Sequence, residues 1–173
     1  MSVTETSPIF KSVMLTGHRR FAEADAVWLE HTLYSTIRRL KRFHGLEEAI
    51  SGMALGADTI WAEAALAANI SLATYIPFEA QSKPWPQKNQ QIWRDLRSRA
   101  TREIVIGPFF SIGYLHARND AMIRDSDLCV AAFRISETSG GTFSAVNKIR
   151  KLGKPLLLID PETRLITKEN FAT

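Results

Sequence analysis

Along the chain, short apolar runs alternate with longer stretches whose apolar residues recur every three or four positions. The runs are Lys11–Leu15 ("KSVML"), Glu48–Ser51 ("EAIS"), Ser71–Pro77 ("SLATYIP"), Arg102–Gly107 ("REIVIG"), Asp127–Phe133 ("DLCVAAF") and Lys154–Asp160 ("KPLLLID"). Most are apolar at consecutive rather than alternate positions, the pattern of strands covered on both faces. The stretches between them predict helices over about 22–43, 57–68, 91–100, 114–126 and 142–152. The first is the clearest. Leu29, Leu33, Ile37 and Leu40, spaced four, four and three apart, form one core-facing stripe, and Gly45 supplies its stop.

Strand and helix alternate almost strictly, which predicts an α/β protein: a Rossmann-like open parallel sheet of about six strands, helices on both faces, joined by right-handed crossovers. Residues 11–173 then make one domain behind a flexible N-terminus, 1–10. In such sheets a ligand lies beyond the carboxyl ends of the strands, near the point where strand order reverses. The strand-to-helix turns are therefore the places to look for chemistry.

Four of those turns carry unusual residues. In "TGHRR", Thr16 and Gly17 open the turn, and His18, Arg19 and Arg20 follow. Two cations at a helix start oppose the helix dipole. They either begin a helix in solvent or offer planar forks to a phosphate or carboxylate. In "SGMALGAD", Gly52 and Gly56 permit close backbone approach, and Asp58 either caps the next helix or faces the crevice. On the helix "YLHARNDAMIRDSD", the spacing puts His116, Asn119 and Asp120 near one side, with Arg118 beside them. In "SETSGGTFS", Ser139, Gly140, Gly141 and Thr142 stand before a helix. They form either a plain tight turn or an anion pocket built from first-turn amides. If the fold brings these turns together, donors outnumber acceptors there, and the site suits an anion such as a nucleotide or ribose phosphate.

Composition narrows the choice. At 173 residues, 45% hydrophobic and 23% charged, the chain reads as an ordinary globular domain. Cys129 is the only cysteine, so an intrachain disulfide and a thiolate metal cluster are excluded, and no metal site is expected. No run approaches the ~20 apolar residues of a membrane span, and "MSVTETSPIFK" lacks the parts of a signal peptide, so a cytoplasmic protein is expected. The net charge of +4 is spread out, and its densest cluster, Arg38–His44, falls in the last turns of a helix, where cations complement the dipole. Neither GxGxxG nor GxxxxGK[ST] occurs.

Taken together, "TGHR", "SGMALGADTIWAEAAL", "IPFEAQSKPW", "ARNDAMIRDSDLCVAAF" and "SGGTFSAVNKIRKLGKPLLLIDP" resemble the YpsA-like branch of the SLOG superfamily. These Rossmann-like proteins are grouped with the lonely-guy phosphoribohydrolases and the DNA-processing protein A group. The resemblance runs from about Val13 to Pro161 and implies a pocket for a nucleotide or ADP-ribose-type ligand. Lonely-guy enzymes cleave an N-glycosidic bond with an arginine from "HxRK" and a glutamate from "PGGxGTxxE". Here His116 and Arg118 match, but Asn119 replaces the lysine. Gly140, Gly141 and Thr142 match, but Ala145 or Asn147 falls where the glutamate belongs. Without that carboxylate the oxocarbenium-like transition state loses its partner.

The expectation is therefore a binding protein without catalysis, a sensor or sequestering protein for a signalling nucleotide. Thr16, Gly17, His18, Arg19, Gly52, Gly56, Asp58, Arg118, Asn119, Ser139, Gly140, Gly141 and Thr142 are the candidate ligand contacts. An N-glycosidase or ADP-ribose-processing hydrolase using Arg118 and Asp58 is the alternative, and a DNA-associated role, resting on mild positive charge, comes last. The resemblance also implies a homo-oligomer. "PFEAQSKPWPQKNQQIW" is a polar crossing in which Gln81 and Trp85 either close over a base or pack beneath the loop.

Overall fold

A computed structural model describes residues 7–171. Seven strands make one sheet: β1 Ser12–Gly17, β2 Glu48–Ser51, β3 Ser71–Phe78, β4 Arg102–Gly107, β5 Leu128–Ala132, β6 Leu156–Asp160 and β7 Leu165–Glu169. Five helices separate the first six: α1 Glu23–His44, α2 Ala57–Ala67, α3 Gln87–Ser98, α4 Ile112–Asp125 and α5 Gly140–Lys151. The strand order is β4-β3-β2-β1-β5-β6-β7, parallel throughout except for the last pair. Order reverses between β1 and β5, and the carboxyl ends of those two strands diverge there into opposite crossovers.

Side-chain alternation assigns the layers. Val13 and Leu15 of β1 pack with Leu29, Leu33, Ile37 and Leu40 of α1 and Trp61, Ala64 and Ala65 of α2. Met14, between them, points the other way, to Met122 and Ile123 of α4 and Val146 and Ile149 of α5. A third cluster joins α2 to α3 through Met53, Ala62, Ile76, Trp93 and Leu96. Cys129 is buried in β5.

The differences from expectation have local causes. The described residues form seven strands rather than about six, because "LITKE" turns back on β6 as an antiparallel edge through the short turn at Pro161–Arg164, with Arg164 left-handed at φ 63. A short, exposed strand with no crossover carries little pattern. Helix α3 begins at Gln87, not near residue 91, because only Trp93 and Leu96 of its length are buried and its first turn is wholly polar. Helix α4 begins at Ile112, not 114: the Ser111 hydroxyl accepts from the Gly113 amide at 3.1 Å, an N-cap that the flanking Phe and Gly residues hide. Helix α5 begins at Gly140 rather than Thr142. Of the N-terminal segment, 1–6 lies outside the described residues. Phe10 is not loose: it is buried, stacks on His44 with centroids 5.6 Å apart, and its amide donates to the His44 carbonyl at 2.7 Å.

Candidate functional site

The four strand exits meet in one cleft of about 660 Å³ at the β1/β5 switch point. Thr16, Gly17, His18 and Arg19 supply one wall, Asp58 the floor, Arg118 and Asn119 of α4 a second wall, and Ser139, Gly140, Gly141 and Thr142 the far rim. Among the sequence candidates, Gly52 and Gly56 do not line it; both sit just behind and shape it.

Gly17 is where strand β1 passes under α2. A Cβ there would lie 2.4 Å from that of Ala57, so only glycine lets the exit turn approach the helix. Gly56, at φ +80, lies against the His18 and Arg19 carbonyls, and the Ala57 amide donates to the His18 carbonyl at 3.2 Å. The exits of β1 and β2 are thereby fastened to each other. His18 follows: its amide donates to the Ala132 carbonyl, and its Nε2 accepts from the Arg134 amide at 3.1 Å. That bond assigns the ring proton to Nδ1. Burial, reinforced by the Arg134 charge, holds the imidazole below its ordinary pKa. His18 is a neutral ring packed beside Phe133 and Phe21.

The centre of the site is Arg118, only 6% exposed although it is an arginine on a helix. Its Nη1 donates to the Gly52 carbonyl at 2.5 Å and its Nε to Asn119 Oδ1 at 2.9 Å. Asp58, also 6% exposed, lies on the same floor, its carboxylate accepting from the Ala54 amide at 3.3 Å. Burial pushes the Asp58 carboxyl up to about 6, against the opposing pull of Arg118, the Ala54 amide and Arg19. Burial likewise lowers Arg118 from its ordinary range, while Asp58 pulls it back. Asp58 is not a helix cap, one of the two sequence readings: Gly56 holds the N-cap position and no side chain caps the helix.

The Gly52 carbonyl has a second donor, Gln81 Nε2 at 3.1 Å, and Gln81 Oε1 accepts from Trp93 Nε1 at 3.0 Å. Gln81 is therefore a strut behind the cleft rather than a lid over it. Trp85 packs on the α2–α3 cluster. Asp120 is ion-paired with Lys148 and lies off the cleft wall.

On the far rim, Gly140 sits at φ +93, and neither it nor Gly141 has any neighbour within 4 Å of a Cβ position. Helix α5 has no side-chain cap at Ser139 and no acid in its first turn. Its first amides and the positive end of its dipole open on the cleft. Two further charged residues line the wall, Arg134 and Glu137, and of these Arg134 escaped sequence reading. Arg134 donates to the Arg20 carbonyl at 3.1 Å and to Glu137 Oε1 at 2.9 Å, tying the β5 exit to the β1 exit. The signal was positional: both follow the carboxyl end of β5, where the fold places ligand contacts. Neither Ala145 nor Asn147 lines the cleft, so its carboxylates are Asp58 and Glu137.

The parallel sheet and its switch-point cleft define the class, a Rossmann-like α/β domain. No protein-family model matches the chain, and no curated protein matches it. Solved structures do. DNA processing protein A from Streptococcus pneumoniae superposes with a TM-score of 0.65 at 17% identity, over 87% of this chain and 50% of that one. The Helicobacter pylori protein of the same name, described for its single-stranded DNA binding mode, gives 0.61 at 21%, over 89% of this chain and 66% of that one. The Moco carrier protein of Chlamydomonas rheinhardtii gives 0.53 at 17%, over 88% and 78%. At these identities the likeness establishes the shared fold. The chain spans half of the pneumococcal protein and 66% of the Helicobacter one.

Proposed function

We propose that the protein binds a nucleotide-derived anion, a nucleoside phosphate, ADP-ribose-type molecule or cyclic nucleotide, in the switch-point cleft and holds it without cleaving it, as a sensor or sequestering protein. The observation that carries this reading is the convergence of the buried Arg118 with the uncapped α5 amino terminus across one cleft. Arg19, Arg20 and Arg134 add positive charge to its walls. A phosphate at the α5 end accepts amide hydrogen bonds that the helix itself leaves unmade. The neutral His18 and the apolar Leu115 and Met122 leave room for a sugar or base beside it. The fold's likeness to a carrier protein for a cofactor supports storage rather than turnover.

The test is mass spectrometry of small molecules released from purified protein, paired with thermal shift across nucleotides, ADP-ribose, cyclic dinucleotides and single-stranded DNA. A nucleotide-type ligand that raises the melting temperature, and fails to do so in Arg19→Ala, is the expected result. A shift with single-stranded DNA alone, falling steeply with salt, overturns it in favour of nucleic acid. The reading places the protein in the cytoplasm as a homo-oligomer. No described helix is long and apolar enough to cross a membrane, and Val105, Phe109, Phe110 and Ile112 are exposed apolar residues on and just beyond edge strand β4.

One observation favours a second reading, an N-glycosidase or ADP-ribose-processing hydrolase. Asp58, with its carboxyl near 6 beside Arg118, is a general acid or base in the right protonation range. Release of free base or ribose phosphate, lost in Asp58→Asn while ligand binding persists, would establish it.

A further inference from the structure

Outside the cleft, the molecule has a second trough, and it rests on a different face. Helix α1 covers β5 and β6, burying Leu128, Leu157 and Ile159, but the edge strand β7 beyond them leaves Ile166 52% exposed. The floor beside it is apolar: Ile166 of β7 lies open, and Leu157 of β6 and Leu128 of β5, both buried, close its inner edge. A second stripe of α1, adjacent to its core stripe, forms the wall. Trp28, Thr32, Thr36 and Arg39 recur at three- and four-residue spacing on that side and line a cavity of about 560 Å³.

The trough is polarised. At one end Trp28 lies under the Arg164 guanidinium, 5.1 Å away, and Arg164 is neutralised by Asp25 at 2.8 Å. Arg39 is eleven residues further along α1, about 16 Å at the helical rise. At that end stand His44, Phe171 and Lys168, the last directly opposite Leu157 in the ladder. Among the described residues, no aspartate or glutamate lines the trough. Glu169, next to Lys168 in the strand, points to the other face and pairs with Arg150 at 2.8 Å. Several arginines elsewhere are ion-paired, Arg97, Arg102, Arg124, Arg134 and Arg150 among them. Arg39 and Lys168 make only contacts with aromatic rings, Phe43 and Phe171 respectively, among the described residues.

We propose that this trough is a second ligand site, for a small amphiphilic carboxylate such as a medium-chain fatty acid. The chain lies on Leu157 and Ile166 toward Trp28, and the carboxylate sits between Arg39 and Lys168. Charge complementarity selects an anion, the apolar floor selects a hydrocarbon body, and the volume is that of a small-molecule site rather than of a protein interface. The site is independent of the strand-end cleft.

Decanoate and decanol, which share a chain and differ in charge, are the probes, titrated while following the Trp28 indole NMR resonance. Decanoate should shift that resonance saturably and bind at least about tenfold more tightly than decanol. The double variant Arg39→Glu, Lys168→Glu alters exposed side chains only and should weaken decanoate by about tenfold or more, leaving decanol unchanged. Arg19→Ala, in the cleft, should leave both unchanged. The alcohol comparison needs no variant, so it decides even if the double variant folds poorly. An unresponsive Trp28, equal affinity for acid and alcohol, or a Trp28 shift that follows protein concentration without decanoate overturns the proposal, the last outcome assigning the trough to a second copy of the chain.

Discussion

The guanidinium of Arg118 and the carboxylate of Asp58 converge on the bare Cα of Gly52. A Cβ at that position would lie 2.5 Å from Arg118 Nη1 and 2.9 Å from Asp58 Oδ2. Both side chains are buried and held by other bonds, so neither can retreat freely. Gly52 thus creates the space in which opposite charges share a floor.

Gly52→Ala should therefore destabilise the fold by about 1–3 kcal/mol, the cost of overpacking a filled site. It should also lower the thermal shift given by the cleft ligand, because Arg118 must move. Urea unfolding with an unchanged slope and a lower midpoint checks the first part. A variant of wild-type stability would mean that Arg118 is free to swing, contrary to its position here.

Asp58 makes stability depend on pH in a definite direction. Its folded carboxyl is near 6, above the ordinary 3.8, so the folded state holds its proton where the unfolded state has released it. The contribution is fully present below about pH 4, declines as pH rises, and is gone above about 6; the slope amounts to roughly 1–3 kcal/mol across that window. The difference between wild type and Asp58→Asn isolates this group from the other carboxylates. Wild type should lose ground to the variant between pH 4.5 and 6.5, and parallel curves would show the carboxyl to be unshifted. The same proton favours an anionic guest, so ADP-ribose should bind more tightly at pH 5.5 than at 7.5.

The legibility of this molecule in its sequence divides along a physical line. Leu29, Leu33, Ile37 and Leu40 announce α1 because a buried stripe must repeat with the helix, and the same holds for the parallel strands, whose consecutive apolar residues are covered twice. Strand β7 was hidden because it is exposed along most of its length and its partner lies a short turn away. The cleft was legible as a set of strand exits, since topology alone carries those ends to one edge. The roles inside it were not. Whether Asp58 caps a helix or faces Arg118 depends on a fold in φ at Gly56, and Gln81 serves as a strut only because Trp93 arrives from α3 with an indole N–H to satisfy. Arg134 and Glu137 carry no motif at all; their partners are more than a hundred residues away in one case and three in the other.

Glu137 opposes the ligand it helps to enclose. Its carboxylate lines the cleft and occupies the Arg134 fork that a phosphate would otherwise attract. Glu137→Gln should tighten binding of an anionic nucleotide by about threefold to tenfold, the scale of one partly exposed like-charge contact removed. Arg134 stays in place through its bond to the Arg20 carbonyl. Calorimetry at low salt measures the change. A weaker complex instead would identify Glu137 as a hydrogen-bond acceptor for ribose hydroxyls.

The Gln81 strut separates packing from gating by one experiment. In Gln81→Leu the Trp93 indole N–H loses its buried acceptor and the Gly52 carbonyl keeps a single donor, Arg118. An unsatisfied buried donor costs about 1–3 kcal/mol, so the variant should unfold at lower urea. Adding Trp93→Phe removes the orphaned donor and should restore part of the loss, a coupling of about 0.5–3 kcal/mol in a double-mutant cycle. A lid residue behaves in the opposite way: stability is untouched, ligand dissociation quickens, and the second substitution rescues nothing. Because Gln81 is buried and bonded on both ends, the cycle should show coupling in stability and leave the ligand's dissociation rate close to that of wild type.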